Sequence, residues 1–109
     1  MMEKSKKYLS DILMAIDLIE HFTVDIPDFD TYQTDLKTQS AVERQLAIIG
    51  EALNQLKKTE TDLEIANDKQ IIGFRNRLIH AYDSIDNSIV WAIIYRHLKK
   101  LKEEIKAWE

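Results

Sequence analysis

Two glycines and one proline in 109 residues leave this chain almost without the turn-formers that a β-sandwich or barrel needs between strands, so it should be helices joined by few connections. The apolar residues fall into step with that reading. Between Lys6 and Phe22, the residues Leu9, Ile12, Leu13, Ile16, Ile19 and Phe22 recur at three- and four-residue steps, the mark of one face of an amphipathic helix. From Leu36 or Ser40 to Lys58, Val42, Leu46, Ile49, Leu53 and Leu56 keep a 4-3-4-3 spacing with Ile48 and Ala52 beside them, which predicts the longest helix, with a narrow bundle-like seam. Ser40 and Glu43 read as a capping box, with Thr34 and Leu36 open as earlier starts. A third helix is predicted from Asp68 to Ala81 or Tyr82. A fourth runs from Ser88 to Trp108, with Val90, Trp91, Ile94, Leu98, Leu101, Ile105 and Trp108 on its inner stripe. Between these two, Asp83-Ser84-Ile85-Asp86-Asn87-Ser88 supplies turn-forming and N-capping residues.

The remaining segments read as connections. Thr23 to Asp30 holds the only proline, Pro27, among Asp25, Asp28 and Asp30. These acids lack the glycine and distal glutamate of a calcium loop and are expected to be solvated, with no metal held. Lys57 to Asn67 is polar and breaks the pattern, with room for a short turn at Leu63 to Ala66. The predicted fold is all-α: one domain over residues 1–109, an antiparallel bundle of four main helices with space for a short fifth.

Cysteine is absent, which removes disulfides and thiolate chemistry and makes the cytoplasm the expected compartment. The basic N-terminus is followed by apolar residues interrupted by Ser10, Asp11, Asp17 and Glu20, unlike a secretion signal, and no run of about 18 apolar residues exists to span a membrane. A net charge of −4 means that nucleic acid could be held only by a local basic patch. Arg96, Lys99, Lys100, Lys102 and Lys106 form one such stretch, although Glu103, Glu104 and Glu109 make a solvated face the plainer reading. Trp91 and Tyr95 read as core or interface rather than base-stacking platforms, and His21 and His97 as solvated residues near helix ends.

Reactive side chains concentrate in the third helix, where Arg75, Asn76, His80 and Tyr82 supply a fixed charge, an amide, a proton-exchanging imidazole and a phenol. On a wheel of about 100° per residue with Arg75 at zero, Ile71, Phe74, Leu78, Ala81 and Ile85 fall within about 240° to 320°, the core face. Tyr82 lies roughly 20° to one side of Arg75, and Ile79, Ile72, Asp83, Asn76 and His80 lie between about 40° and 140° on the other. A straight helix therefore cannot aim His80 and Tyr82 at one atom. Either the helix ends near Ala81 and frees Tyr82, or a second copy of the chain brings its own set alongside. Ile72 and Ile79, apolar among these polar groups, favour a symmetric homodimer with a shared cleft.

The segment Arg75-Asn76-Arg77-Leu78-Ile79-His80-Ala81-Tyr82 carries the pattern R-x4-H-x-Y. With Ile48-Ile49-Gly50-Glu51-Ala52 on the second helix, Phe74-Arg75-Asn76 opening the motif and Tyr82-Asp83-Ser84-Ile85-Asp86 closing it, the chain resembles the HepT-like branch of the HEPN families over essentially its whole length. The resemblance implies a small helical toxin of a type VII-like toxin–antitoxin system, a metal-independent and cofactor-free RNA endonuclease acting as a homodimer. Its implied partner is a minimal nucleotidyltransferase antitoxin of the MntA type, which transfers AMP from ATP to the motif tyrosine, here Tyr82, and so silences the nuclease.

RNA carries its own nucleophile, the 2′-hydroxyl, so a metal-free site needs a proton carrier and a cation beside the phosphoryl oxygens. His80 and Arg75 suit those two roles, with Asn76 orienting either and Tyr82 lining the cleft. The plainer reading has Arg75 and His80 in surface hydrogen bonds with Asp83 or Glu51 and Tyr82 packed at a helix end. A rival function is a non-catalytic helical partner or substrate-binding subunit of a minimal nucleotidyltransferase.

Overall fold

The computed structural model describes residues 2–109. Its helices are α1 (Glu3–Thr23), α2 (Phe29–Thr34), α3 (Leu36–Thr59), α4 (Asp68–His80), α5 (Asn87–Ala92) and α6 (Leu98–Trp108), with a π turn at Ile93–His97 joining α5 to α6 in one rod. Among the described residues there is no strand, and no helix is long and apolar enough to cross a membrane. The four predicted main helices are α1, α3, α4 and the α5–α6 rod.

Neighbouring helices run antiparallel. Ser5, at the start of α1, shares a 3.0 Å hydrogen bond with Thr59, the last residue of α3. Gly50 of α3 lies against Arg75 of α4, while Lys57, two turns further along α3, pairs with Asp68 at the start of α4. Lys102 of α6 reaches back to Asp17 and Glu20 of α1 at 3.2 Å. The seams that meet are the apolar stripes: Ile12, Ile16 and Ile19 of α1, Val42, Ile49, Leu53 and Leu56 of α3, and Leu101 and Ile105 of α6 are essentially removed from water. Burying such side chains contributes roughly 1.5–3 kcal/mol each, which is why tertiary packing rather than intrinsic propensity holds these helices.

Three details differ from expectation. The capping box at Ser40 and Glu43 does not form, because α3 begins earlier. Asp35 is its N-cap, accepting from the Thr38 backbone N–H at 3.0 Å and the Thr38 hydroxyl at 2.7 Å. The short fifth helix, which the sequence leaves unplaced, does not lie between α3 and α4, where Leu63 and Ile65 plug the core from a loop that turns at Ala66 and Asn67. It is α2, which starts inside the supposed connection because Asp28 caps it at Thr31 and Tyr32 inserts completely into the core. Gln39, buried on α3, donates to the carbonyls of Tyr32 and Gln33 at 2.8 and 3.0 Å and so satisfies the end of α2.

The third difference is the π turn. The Leu98 N–H donates to the carbonyl of Ile93, five residues back, so the rod takes up one extra residue there. Ile93 and Leu98 are both buried, whereas Ile94, which a constant 3.6 period places on the stripe, is only half-buried. Trp91 is half-buried too, its ring 5.4 Å from Tyr32 and 4.4 Å from the exposed Tyr95.

Asp28, Asp35 and Asp86 each cap a helix, and their carboxyls sit below the usual carboxylate range. The causes are the Thr31 N–H, the Thr38 N–H and the Ser88 hydroxyl, respectively, since hydrogen bonds to the charged form favour it. A depressed folded-state value adds stability above the unfolded value, near 4, and that stability is lost as pH falls through the folded values. The thermal midpoint should therefore drop on acidification below pH ~4. In Asp35→Asn, which still caps but does not titrate, the drop should be smaller; identical acid profiles for the two proteins would refute the assignment.

Candidate functional site

The site is built where α4 crosses α3. Gly50 is buried at this crossing, and a Cβ placed on it would overlap the Cβ of Arg75, lie 2.8 Å from its Cγ and 3.3 Å from the carbonyl oxygen of Ile71. The missing side chain lets α4 settle onto α3 with Arg75 lying across the crossing. The guanidinium then reaches the next residue of α3. Arg75 pairs through Nη2 with Glu51, while its Nη1 donates to Oδ1 of Asn76 at 2.9 Å. Glu51 also accepts from Gln55 Nε2 at 3.0 Å, which holds the carboxylate from the far side. Arg75 Nε is buried and has no partner among the described residues.

This cluster opens into a groove of about 410 Å³ walled by Lys7 and Asp11 of α1, Arg44 and Glu51 of α3, and Arg75 and Ile79 of α4. The Arg75 side chain is 22% exposed, enough for one edge to meet a ligand while Glu51 and Asn76 fix its plane. A planar fork held in this way suits the oxygens of a phosphate better than a mobile ammonium would.

His80 is the last residue of α4. Ala81 leaves the helix with φ −142° and ψ 41°, its N–H closing on the Arg77 carbonyl, and Tyr82–Ser84 form a single 3-10 turn. His80 is exposed and Tyr82 is 76% exposed. Of the two geometric alternatives for the motif, the helix does end at Ala81 and does free Tyr82 from the wheel. Arg75 and Asn76 come together with Glu51. Among the described residues no hydrogen bond or ion pair joins His80 or Tyr82 to that cluster. Part of the plainer expectation is also met, since Arg75 does bond Glu51.

Of the two isoleucines expected to face outward, only Ile79 is exposed, at 47%. Ile72 is half-buried against the core, because the close approach of α4 to α3 at Gly50 turns that edge of the wheel inward. Glu51 is the residue that the sequence offers only as a supporting mark and, beside Asp83, as a surface partner for Arg75 or His80. Its signal was the neighbouring glycine in the middle of a long helix, where no turn requires one. Asp28, among the acids near Pro27, is a helix cap, and among the described residues no group of three or more His, Cys, Asp or Glu stands close enough to hold a metal ion.

A family profile described as ribonuclease HepT-like matches residues 12–108. The chain is 38% identical over 106 residues to the "Probable ribonuclease HepT" of Thermococcus cleftensis, covering 94% of this chain and 93% of that protein. It is 34% identical over 103 residues to "Putative RNase MJ1380" of Methanocaldococcus jannaschii, covering 93% of each. The same organism's "Gamma-glutamylcyclotransferase and putative RNase MJ0434" is 36% identical over 101 residues, which cover 92% of this chain but 45% of that longer protein. No solved structure matches significantly.

Proposed function

The chain belongs to the HepT-like ribonuclease family, and from that premise we propose that it is a metal-independent RNA endonuclease whose working groups are Arg75 and His80. The observation that carries the proposal is the anchored guanidinium: Arg75 is oriented by Glu51 and Asn76 over an open groove, one helical turn and a half from an exposed histidine at the end of the same helix.

In the reaction, the 2′-oxygen of a ribose attacks the adjacent phosphorus, and His80 accepts the 2′-hydroxyl proton. The bond to the 5′-oxygen breaks and that oxygen takes up a proton, from His80 of the same or a second chain. The products are a 2′,3′-cyclic phosphate and a 5′-hydroxyl. Arg75 grips the phosphoryl oxygens as negative charge builds on them, and Asn76 keeps the fork in plane. A homodimer facing across α4, through Ile79, would bring two such sets into one cleft.

Tyr82, exposed beyond the helix end, is the acceptor in the regulatory half of the proposal. A minimal nucleotidyltransferase antitoxin transfers AMP from ATP to its phenolic oxygen, releasing pyrophosphate, and the added nucleotide blocks the cleft of this toxin. Two measurements test the two halves. Purified protein should cleave RNA in EDTA and leave cyclic phosphate ends; intact RNA under these conditions overturns the nuclease. Co-expression with a cognate nucleotidyltransferase should add one or more AMP masses that Tyr82→Phe abolishes, and an unshifted wild-type mass overturns the modification.

The second reading, a non-catalytic partner of a nucleotidyltransferase, draws on the existing Arg75–Glu51 pair, which already neutralises the half-buried cation of the motif. Stable co-purification of the two proteins without RNA cleavage would favour it.

A further inference from the structure

We propose that the cleft between α4 and the π turn is a second anionic site, which holds successive phosphates of a single-stranded RNA and leads the strand to His80. The cleft has a volume of about 640 Å³ and lies on the other side of α4 from the Glu51 groove. Lys69 and Arg77 stand on its α4 wall and Arg96 and His97 on the π turn opposite, and no aspartate or glutamate lines it. That absence is notable in a chain with 19 acids against 15 Lys and Arg. Among the described residues Lys69, Arg77 and Arg96 have no ion-pair partner, as is true of most lysines and arginines of the chain; what sets the cleft apart is that they line one concavity with no acid beside them. Cations that face one another across a cleft without counter-charge attract a polyanion from outside the chain.

Two features of the backbone point to the same place. Gly73 lies on the cleft wall, exposed, and a Cβ built on it meets nothing within 4 Å. Unlike Gly50, it has no packing reason inside the chain, and glycine weakens a helix interior. Its bare backbone leaves room for a ligand to lie against α4. The π turn is the second feature. By absorbing one residue it keeps both Ile93 and Leu98 in the core while Arg96 and His97 stand at the cleft. Such turns often mark functional sites.

The spacing selects a strand over a single small anion. Lys69 and Arg77 are eight residues apart, about 12 Å along the helix, too far to converge on one phosphate. Arg77 and His80 are i, i+3 neighbours at the end of α4, so a phosphate held by Arg77 places the adjoining nucleotide beside His80. The identity of the strand as RNA rests on the nuclease reading above; the anionic character of the ligand does not.

Fluorescence anisotropy with a labelled single-stranded 2′-O-methyl RNA separates the two questions, because that RNA lacks the nucleophile and cannot be cleaved. Arg77→Gln with Arg96→Gln should weaken binding at least tenfold and lower the slope of log affinity against log salt by about 1.4, the value for two lost phosphate contacts. Gly73→Leu, which fills the cleft without changing charge, should weaken binding several-fold. Lys4→Gln with Lys37→Gln, exposed on α1 and α3 away from the cleft, should change neither quantity appreciably. Circular dichroism should show all variants folded. The proposal is overturned if the cleft variants bind as the wild type does, or if the Lys4 and Lys37 pair loses as much. A protein that binds through the cleft but never cleaves natural RNA would retain this site and lose only the nuclease.

Discussion

His80→Ala is expected to lower the rate of RNA cleavage by about 10²- to 10⁴-fold, the usual contribution of a positioned proton carrier. The loss should appear without any loss of folding, and the structure says why. His80 is the last residue of α4 and exposed, so its removal opens no cavity. Arg75→Ala should also abolish cleavage, but it differs in one measurable respect. It strips Glu51 of its cation at a half-buried position and removes the stem that lies on Gly50, so the thermal midpoint should fall together with activity. Arg75→Lys retains a charge but not the planar fork that meets Glu51, Asn76 and a phosphate at once, and should recover little activity. Cleavage by His80→Ala at the wild-type rate, in well-purified protein, would remove the imidazole from the mechanism.

The second large effect is a pair of glycine substitutions with opposite signs. Gly50→Ala introduces an atom where the Cβ of Arg75 already stands, and that Cβ is fixed to the α4 backbone, so it cannot swing aside as the tip of a side chain could. Helices α3 and α4 must part. Overpacking of this kind costs up to about 3 kcal/mol, while the better helix propensity of alanine returns about 1 kcal/mol, leaving a net loss of roughly 1–2 kcal/mol. Gly50→Leu should cost about 3 kcal/mol or more. Both should also reduce cleavage, because the shift carries Arg75 away from Glu51. Gly73→Ala meets only open space and should raise stability by about 0.5–1 kcal/mol through propensity alone. Denaturant unfolding of the two alanine variants decides the matter: equal shifts in the same direction would mean that Gly50 does not set the helix crossing.

The same contrast shows where the sequence was legible. Both glycines look alike in the sequence, each inside a helical pattern, yet one is a close-packed contact and the other a bare wall. The helices themselves could be read because their signal is local: Leu9, Ile12, Ile16 and Ile19, or Val42, Leu46, Ile49 and Leu53, repeat at the pitch of the element they form. The end of α4 was legible for a related reason, since Asp83 and Ser84 interrupt the pattern just where the helix stops. Features that depend on a fixed period failed where the period changes. Ile94 was placed on the inner stripe because nothing in the local pattern announces a π turn. The helix widens there, and Ile93 and Leu98 are both buried while Ile94 packs against the core only in part. Of the starts that the sequence leaves open for α3, the structure takes Leu36: Ser40 with Glu43 is a plausible signal, but Asp35 caps the helix about one turn earlier.

The sequence alone therefore determined that this chain is all-α and that His80 and Tyr82 diverge unless their helix ends. Arg75, expected on the outer face, instead lies half-buried across the α3 crossing, and Tyr82 stands beyond the end of α4. Tertiary structure alone decided which of those residues act together. Arg75 and Glu51 are 24 residues apart on different helices, and what joins them is the depth of one crossing, fixed by the absent side chain of Gly50. Periodicity reports which way a residue faces on its own helix, whereas its neighbours across the interface depend on how closely and at what register two helices pack.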